Sequence, residues 1–76
     1  MSPRLPRPTG GDVVRALERD GWQELRRRGS HVILAHPTKP GRPVVPVHAG
    51  QTLPPGTLAD VLKDCGLTAD DLRRLL

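Results

Sequence analysis

Turn-forming residues cut the middle of this chain into pieces too short to be helices. Gly29-Ser30, the run "PTKPGRP" and the run "AGQTLPPG" isolate the stretches "WQELRRR", "HVILAH" and "VVPVH". Proline fixes φ and lacks an N–H donor, and glycine alone reaches left-handed conformations freely, so such clusters turn a chain. The second stretch is apolar and partly β-branched, as a strand requires. Strands joined by connections this short pair antiparallel. Pro46 inside the third stretch argues for a sheet edge or a bulge, because it cannot donate to a ladder. The second strand leaves one matter open. Val32 and Leu34 point one way, Ile33 and Ala35 the other, and both pairs are apolar.

Helical signals flank this block. Thr9 is placed to cap a first helix, with Asp12 three residues later as its capping-box partner. Val13, Val14 and Leu17 recur at helical spacing, and Gly21 can end the helix in a left-handed conformation. Pro54 and Pro55 suit the first turn of a second helix. In it Leu58, Val61, Leu62 and Cys65 share one face, and Gly66 stops it. Thr68 and Asp71 repeat the capping pattern before a last short helix carrying Leu72, Leu75 and Leu76. The expected class is α+β, in the order α-β-β-β-α. Its three-stranded antiparallel sheet packs against helices, and a short C-terminal helix follows. Residues 1–9, rich in Pro, Gly and Arg, are expected to form a disordered leader, and residues 10–76 a single domain.

A chain of 76 residues builds one thin core with no room for a deep cleft. Any site is then shallow, which favours a polymer or a protein partner over an enclosed metabolite or small-molecule cofactor. The single cysteine excludes an internal disulfide and a cysteine zinc site. No apolar stretch is long enough for a signal peptide or a membrane span, so the expected location is the cytoplasm, away from membranes. The net charge is +4, and it is unevenly spread. Residues 1–25 carry four arginines and four acids, and residues 50–76 three bases and four acids. Residues 26–49 hold Arg26, Arg27, Arg28, Lys39 and Arg42 with no acid, a local +5. A basic cluster of this kind suits a phosphate backbone.

His31 lies inside that segment, where the Gly-Ser turn meets the second strand. Histidine can take or give a proton near neutral pH. RNA cleavage by its own 2′-hydroxyl needs such a group, with cations to stabilise charge on the phosphorus oxygens. Gly29 and Ser30 can turn the chain or bring bare backbone N–H groups and a hydroxyl close to a phosphate. In a strand, at most two of Arg26, Arg27 and Arg28 share a face, and Arg28, nearest the turn, is the chosen phosphate contact. Lys39 and Arg42, on the next turn, are the other RNA-binding candidates. His48 ends the third strand; a place beside His31 in the sheet would make it a second proton-transfer group. The spacings among His31, His36 and His48 match no zinc pattern, so no metal site is expected. Trp22 is the only aromatic residue, which excludes base stacking on an aromatic-rich sheet. Trp22 and Cys65 are expected in the core.

"GW" after a capped helix, "RRRGSH", "VPVH", "PGTLADVLKDCGL" and "TADDLRRLL", in this order and spacing, closely resemble the HicA (YcfA-like) toxins. The resemblance runs from about Gly10 to the C-terminus. It implies a fold like a double-stranded-RNA-binding domain and a metal-independent endoribonuclease that cleaves mRNA. It implies one catalytic histidine, His31, beside Gly29 and Ser30, and a HicB-like antitoxin that covers the histidine face. Where the family often carries an aromatic shortly after the histidine, this chain has Ile33 and Leu34. The alternative reading is a non-catalytic RNA-binding module of the same fold. Against it, the second helix opens with "PPGTLADVLKD", not with the lysine-rich run of double-stranded-RNA binders.

Overall fold

A computed structural model describes residues 6–76. The elements run α1 (Gly10–Arg19), β1 (Gln23–Arg28), β2 (His31–Ala35), β3 (Val44–Pro46), α2 (Pro55–Cys65) and α3 (Ala69–Leu75). The sheet is antiparallel with order β1-β2-β3. This is the α+β arrangement expected from the turn spacing. Of the leader expected over 1–9, the first five residues lie outside the described residues. Pro8 is buried and its carbonyl accepts from Leu53 N–H at 2.9 Å, while Thr9 bridges Thr52. The packed fold therefore takes in Pro8 and Thr9.

Local chemistry starts and stops the helices. Thr9 and Asp12 form a reciprocal capping box, with hydrogen bonds of 3.0 and 3.1 Å. Thr68 and Asp71 form a second, at 2.9 and 3.1 Å. Each box satisfies two N–H groups that a helix start would otherwise leave unpaired. Gly21 follows α1 at φ +102° and Gly66 caps α2 at φ +68°, conformations that glycine adopts without steric cost. The third strand is shorter than expected. It ends at Pro46, and the chain then turns, with Gln51 N–H bonding the His48 carbonyl at 3.0 Å.

The helices cover one face of the sheet. Val32 and Leu34 of β2 and Val45 of β3 are fully buried. They join Val13, Ala16 and Leu17 of α1, Leu58, Val61, Leu62 and Cys65 of α2, and Leu72 of α3 in one core, which also holds Trp22. Burying each such aliphatic side chain contributes about 1.5–3 kcal/mol before conformational entropy is counted. The start of α1 lies hard against the end of β3: a Cβ on Gly10 would stand 2.1 Å from the Pro46 carbonyl oxygen. Only a residue without a side chain permits that approach.

Two predictions follow from these contacts. Gly10→Ala should lower stability by about 1–3 kcal/mol through overpacking against backbone. Gly56→Ala, in open space within α2, should raise it by about 0.4–1 kcal/mol. Urea unfolding midpoints of the two variants test this. The carboxyls of Asp12 and Asp71 are both held below their usual 3.8. The main cause is the N–H of the capping threonine, then its hydroxyl, with smaller help from Arg15 and Arg74. A depressed folded-state value means stability that is present above the unfolded value and lost as pH falls through the folded one. Replacing both aspartates by asparagine should therefore flatten the fall in Tm between about pH 5 and pH 2.

Candidate functional site

The face of the sheet away from the helices is where the candidate residues meet. Directly opposed residues of an antiparallel pair share a face. Arg28 opposes His31, and Arg26 opposes Ile33. Across the other side of β2, His31 opposes Pro46 and Ile33 opposes Val44. Since Val32 and Leu34 point to the core, His31 and Ile33 point away from it, and Arg26, Arg28, Val44 and Pro46 go with them. Ile33 and Val44 make an apolar floor, with the two arginines along one side and His31 at one end. None of these residues is acidic. His31, Arg26 and Arg28 are exposed, and no hydrogen bond or ion pair among the described residues engages their side chains.

A bulge in β1 turns Glu24 away from the open face. Between Glu24 and Arg26 the pairing register shifts by one, with Leu25 as the extra residue. Glu24 then opposes Leu34 and Arg27 opposes Val32, so both lie on the helix side. There they form an ion pair at 3.1 Å. Strict alternation would put residues three apart on opposite faces; the inserted residue brings them to the same one. Glu24 is thus kept off the open face and pairs with Arg27, while Arg26 and Arg28 share that face by simple alternation. Sequence reasoning selected Arg28 and passed over Arg26. Alternation alone puts it beside Arg28; the bulge that removes Glu24 from this face has no signature in the residues themselves.

The Gly29-Ser30 turn closes the β1–β2 hairpin beside His31. Gly29 has φ +57°, and no described non-glycine residue has positive φ. Glycine at the first turn position followed by an ordinary residue at the second fits a type II′ hairpin, whose twist matches the strands. A Cβ on Gly29 would meet nothing within 4 Å, so the backbone here is open to a large ligand.

Lys39 and Arg42 lie beyond the other end of β2, about 13 Å of strand from His31. The Lys39 ammonium is bound to the Asp20 carboxylate at 2.6 Å, behind the sheet corner. Arg42 is exposed and donates to the Gly41 carbonyl at 2.8 Å. The same corner absorbs His36. Its Nδ1 accepts from the N–H groups of Thr38 and Lys39 at 3.1 and 3.2 Å. Its Nε2 therefore carries the proton and donates to the Asp20 carbonyl at 2.9 Å. The ring meets Trp22 edge to face at 5.1 Å. His36 is a structural residue that ties the 36–42 loop to the end of α1. Cys65 is buried in the core, and its thiol is pushed up to about 12, chiefly by burial and then by the charges of Asp64 and Asp20. A thiol held protonated in this way is not a nucleophile.

Among the described residues, no three His, Cys, Asp or Glu side chains gather to hold a metal ion. No helix among them is long and apolar enough to cross a membrane. Comparison with curated proteins returned no match. A family model described as the HicA toxin of bacterial toxin-antitoxin matches residues 10–67. That span runs from the glycine packed against β3 to the end of the second helix, and it includes the whole sheet with its histidine and arginine face. The chain belongs to the HicA toxin family of bacterial toxin–antitoxin systems.

Proposed function

We propose that this toxin is an endoribonuclease that cleaves mRNA in the cytoplasm, with His31 as its proton-transfer residue. The observation that carries the reading is an exposed histidine on a face where, among the described residues, it has no internal partner, no acid lies beside it, and the two neighbouring arginines are likewise unpartnered. Arg28 and Arg26 are two residues apart on one strand, so their guanidinium groups can hold consecutive phosphates of a single strand. Gly29 and Ser30 offer backbone N–H groups and a hydroxyl at the His31 end. Arg42 marks the far end of the same track. His31 exchanges a proton with the attacking 2′-hydroxyl or with the departing 5′-oxygen, and the arginines stabilise charge on the phosphorus oxygens. The products are a 2′,3′-cyclic phosphate and a 5′-hydroxyl. No step uses a metal ion. A HicB-like antitoxin neutralises the toxin by covering this face.

Two measurements test the reading. In excess chelator, the wild type should cut a long unstructured RNA. His31→Ala should be slower by about 10²–10⁴-fold with an unchanged melting temperature. Full activity in a folded His31→Ala protein refutes the assignment. RNA bound without cleavage by wild type would instead favour the binding-module reading. In binding, the double variant Arg26→Ala/Arg28→Ala should reduce the slope of log K against log salt by about 1.4, two phosphates at roughly 0.7 each. Lys39→Ala, which breaks only the pair with Asp20, should leave that slope unchanged.

A further inference from the structure

We propose that His48 is a second catalytic residue of this site, transferring a proton on the opposite side of the scissile phosphate from His31. The proposal rests on the ribonuclease reading above and adds to it the group that a lone histidine lacks.

The β3 alternation places His48. Val45 is fully buried and Val47 packs against the core, so residues 44, 46 and 48 face the other way. The ladder continues past the last residue of β3, because Val47 N–H donates to the Ser30 carbonyl at 2.6 Å. The next position in this register sets His48 opposite Gly29, at the mouth of the hairpin turn. The backbone of His48 is fixed on its other side by the turn to Gln51, a 3.0 Å hydrogen bond with Gly50 at φ +73°. His31 opposes Pro46, so His48 is its diagonal neighbour, about 7–8 Å away between backbones. Two imidazoles at that spacing can bracket one phosphodiester.

The surroundings favour this use. His48 is exposed, and no hydrogen bond or ion pair among the described residues engages its side chain. It does none of the structural work that occupies His36. Among the described residues, the charged groups on this face are Arg26 and Arg28 of β1, with Arg42 at its far end, and its other titratable group is His31 of β2. Transesterification of RNA requires two proton movements. The 2′-hydroxyl proton passes to the neutral imidazole as the 2′-oxygen forms its bond to phosphorus. The bond from phosphorus to the 5′-oxygen breaks, and that oxygen takes a proton from the second, protonated imidazole. The two histidines end with their protonation states exchanged and reset through water. One imidazole cannot be neutral and protonated in the same step; two on one face can divide the roles.

The test compares wild type, His31→Ala, His48→Ala and His48→Gln on a short single-stranded RNA with one cleavage site, in excess chelator. Wild type should show a bell-shaped dependence of single-turnover rate on pH. The His48 variants should bind RNA normally, cut about 10²–10³-fold more slowly, and lose one limb of the bell. A substrate with sulfur in place of the bridging 5′-oxygen releases a thiolate that needs no proton. It should restore the variant that lacks the acid and not the variant that lacks the base, which assigns the roles. His48→Ala cutting at the wild-type rate overturns the proposal while leaving the ribonuclease reading intact. So does a slower His48→Ala that keeps the full bell, with neither variant restored by sulfur, since that is the signature of a structural effect. A wild type that does not cut overturns the ribonuclease reading and this proposal with it.

Discussion

The central strand β2 is the constraint on which the rest depends. Val32 and Leu34 sit at zero exposure against the helices. A strand has only two faces, so burying these two residues turns His31, Ile33 and Ala35 outward. Pairing then carries that choice sideways. Arg28 and Pro46 follow His31, and Arg26 and Val44 follow Ile33. A slip of one residue in the β1 ladder would turn Arg26 and Arg28 to the helix side, and one in the β3 ladder would turn Val45 out of the core. The depth of the core therefore enforces the composition of the open face.

The three histidines show how environment divides one residue type. His36 is used up by backbone donors, a backbone carbonyl and the edge of Trp22. It closes a corner, and its neighbour Lys39 is held there by Asp20. His31 and His48 are exposed, and no hydrogen bond or ion pair among the described residues engages their side chains. Around them the strands hold side chains at fixed spacings, and a glycine turn keeps the approach clear.

Much of the architecture was legible locally. The capping boxes at Thr9 and Thr68, the left-handed stops at Gly21 and Gly66, and the apolar face of α2 each involve residues within a few positions of one another. Such interactions are readable because they form wherever those residues occur. The candidate site was legible in part. His31, Gly29 and Ser30 form one turn, and Arg28 adjoins it. Arg26 shares the face of Arg28 by strand alternation, and what the sequence does not show is the bulge that turns Glu24 away from them. The pairing of Lys39 with Asp20 was not legible, because the two are distant in sequence. The third strand is shorter than expected: it ends at Pro46, one more ladder bond runs from Val47 N–H to the Ser30 carbonyl, and the chain then turns at His48–Gln51.

By itself, then, the sequence determined the elements, their order, the basic segment and the histidine at the turn, since these follow from short-range sterics, capping and charge. Only the tertiary structure decided which face of β2 is buried. Val32 with Leu34 and Ile33 with Ala35 are equally apolar pairs, and their hydrophobicity alone does not separate them. The helices do, because they can cover only one side of a three-stranded sheet in a chain this short. That choice sets His31, His48 and the two arginines together on the face that remains open.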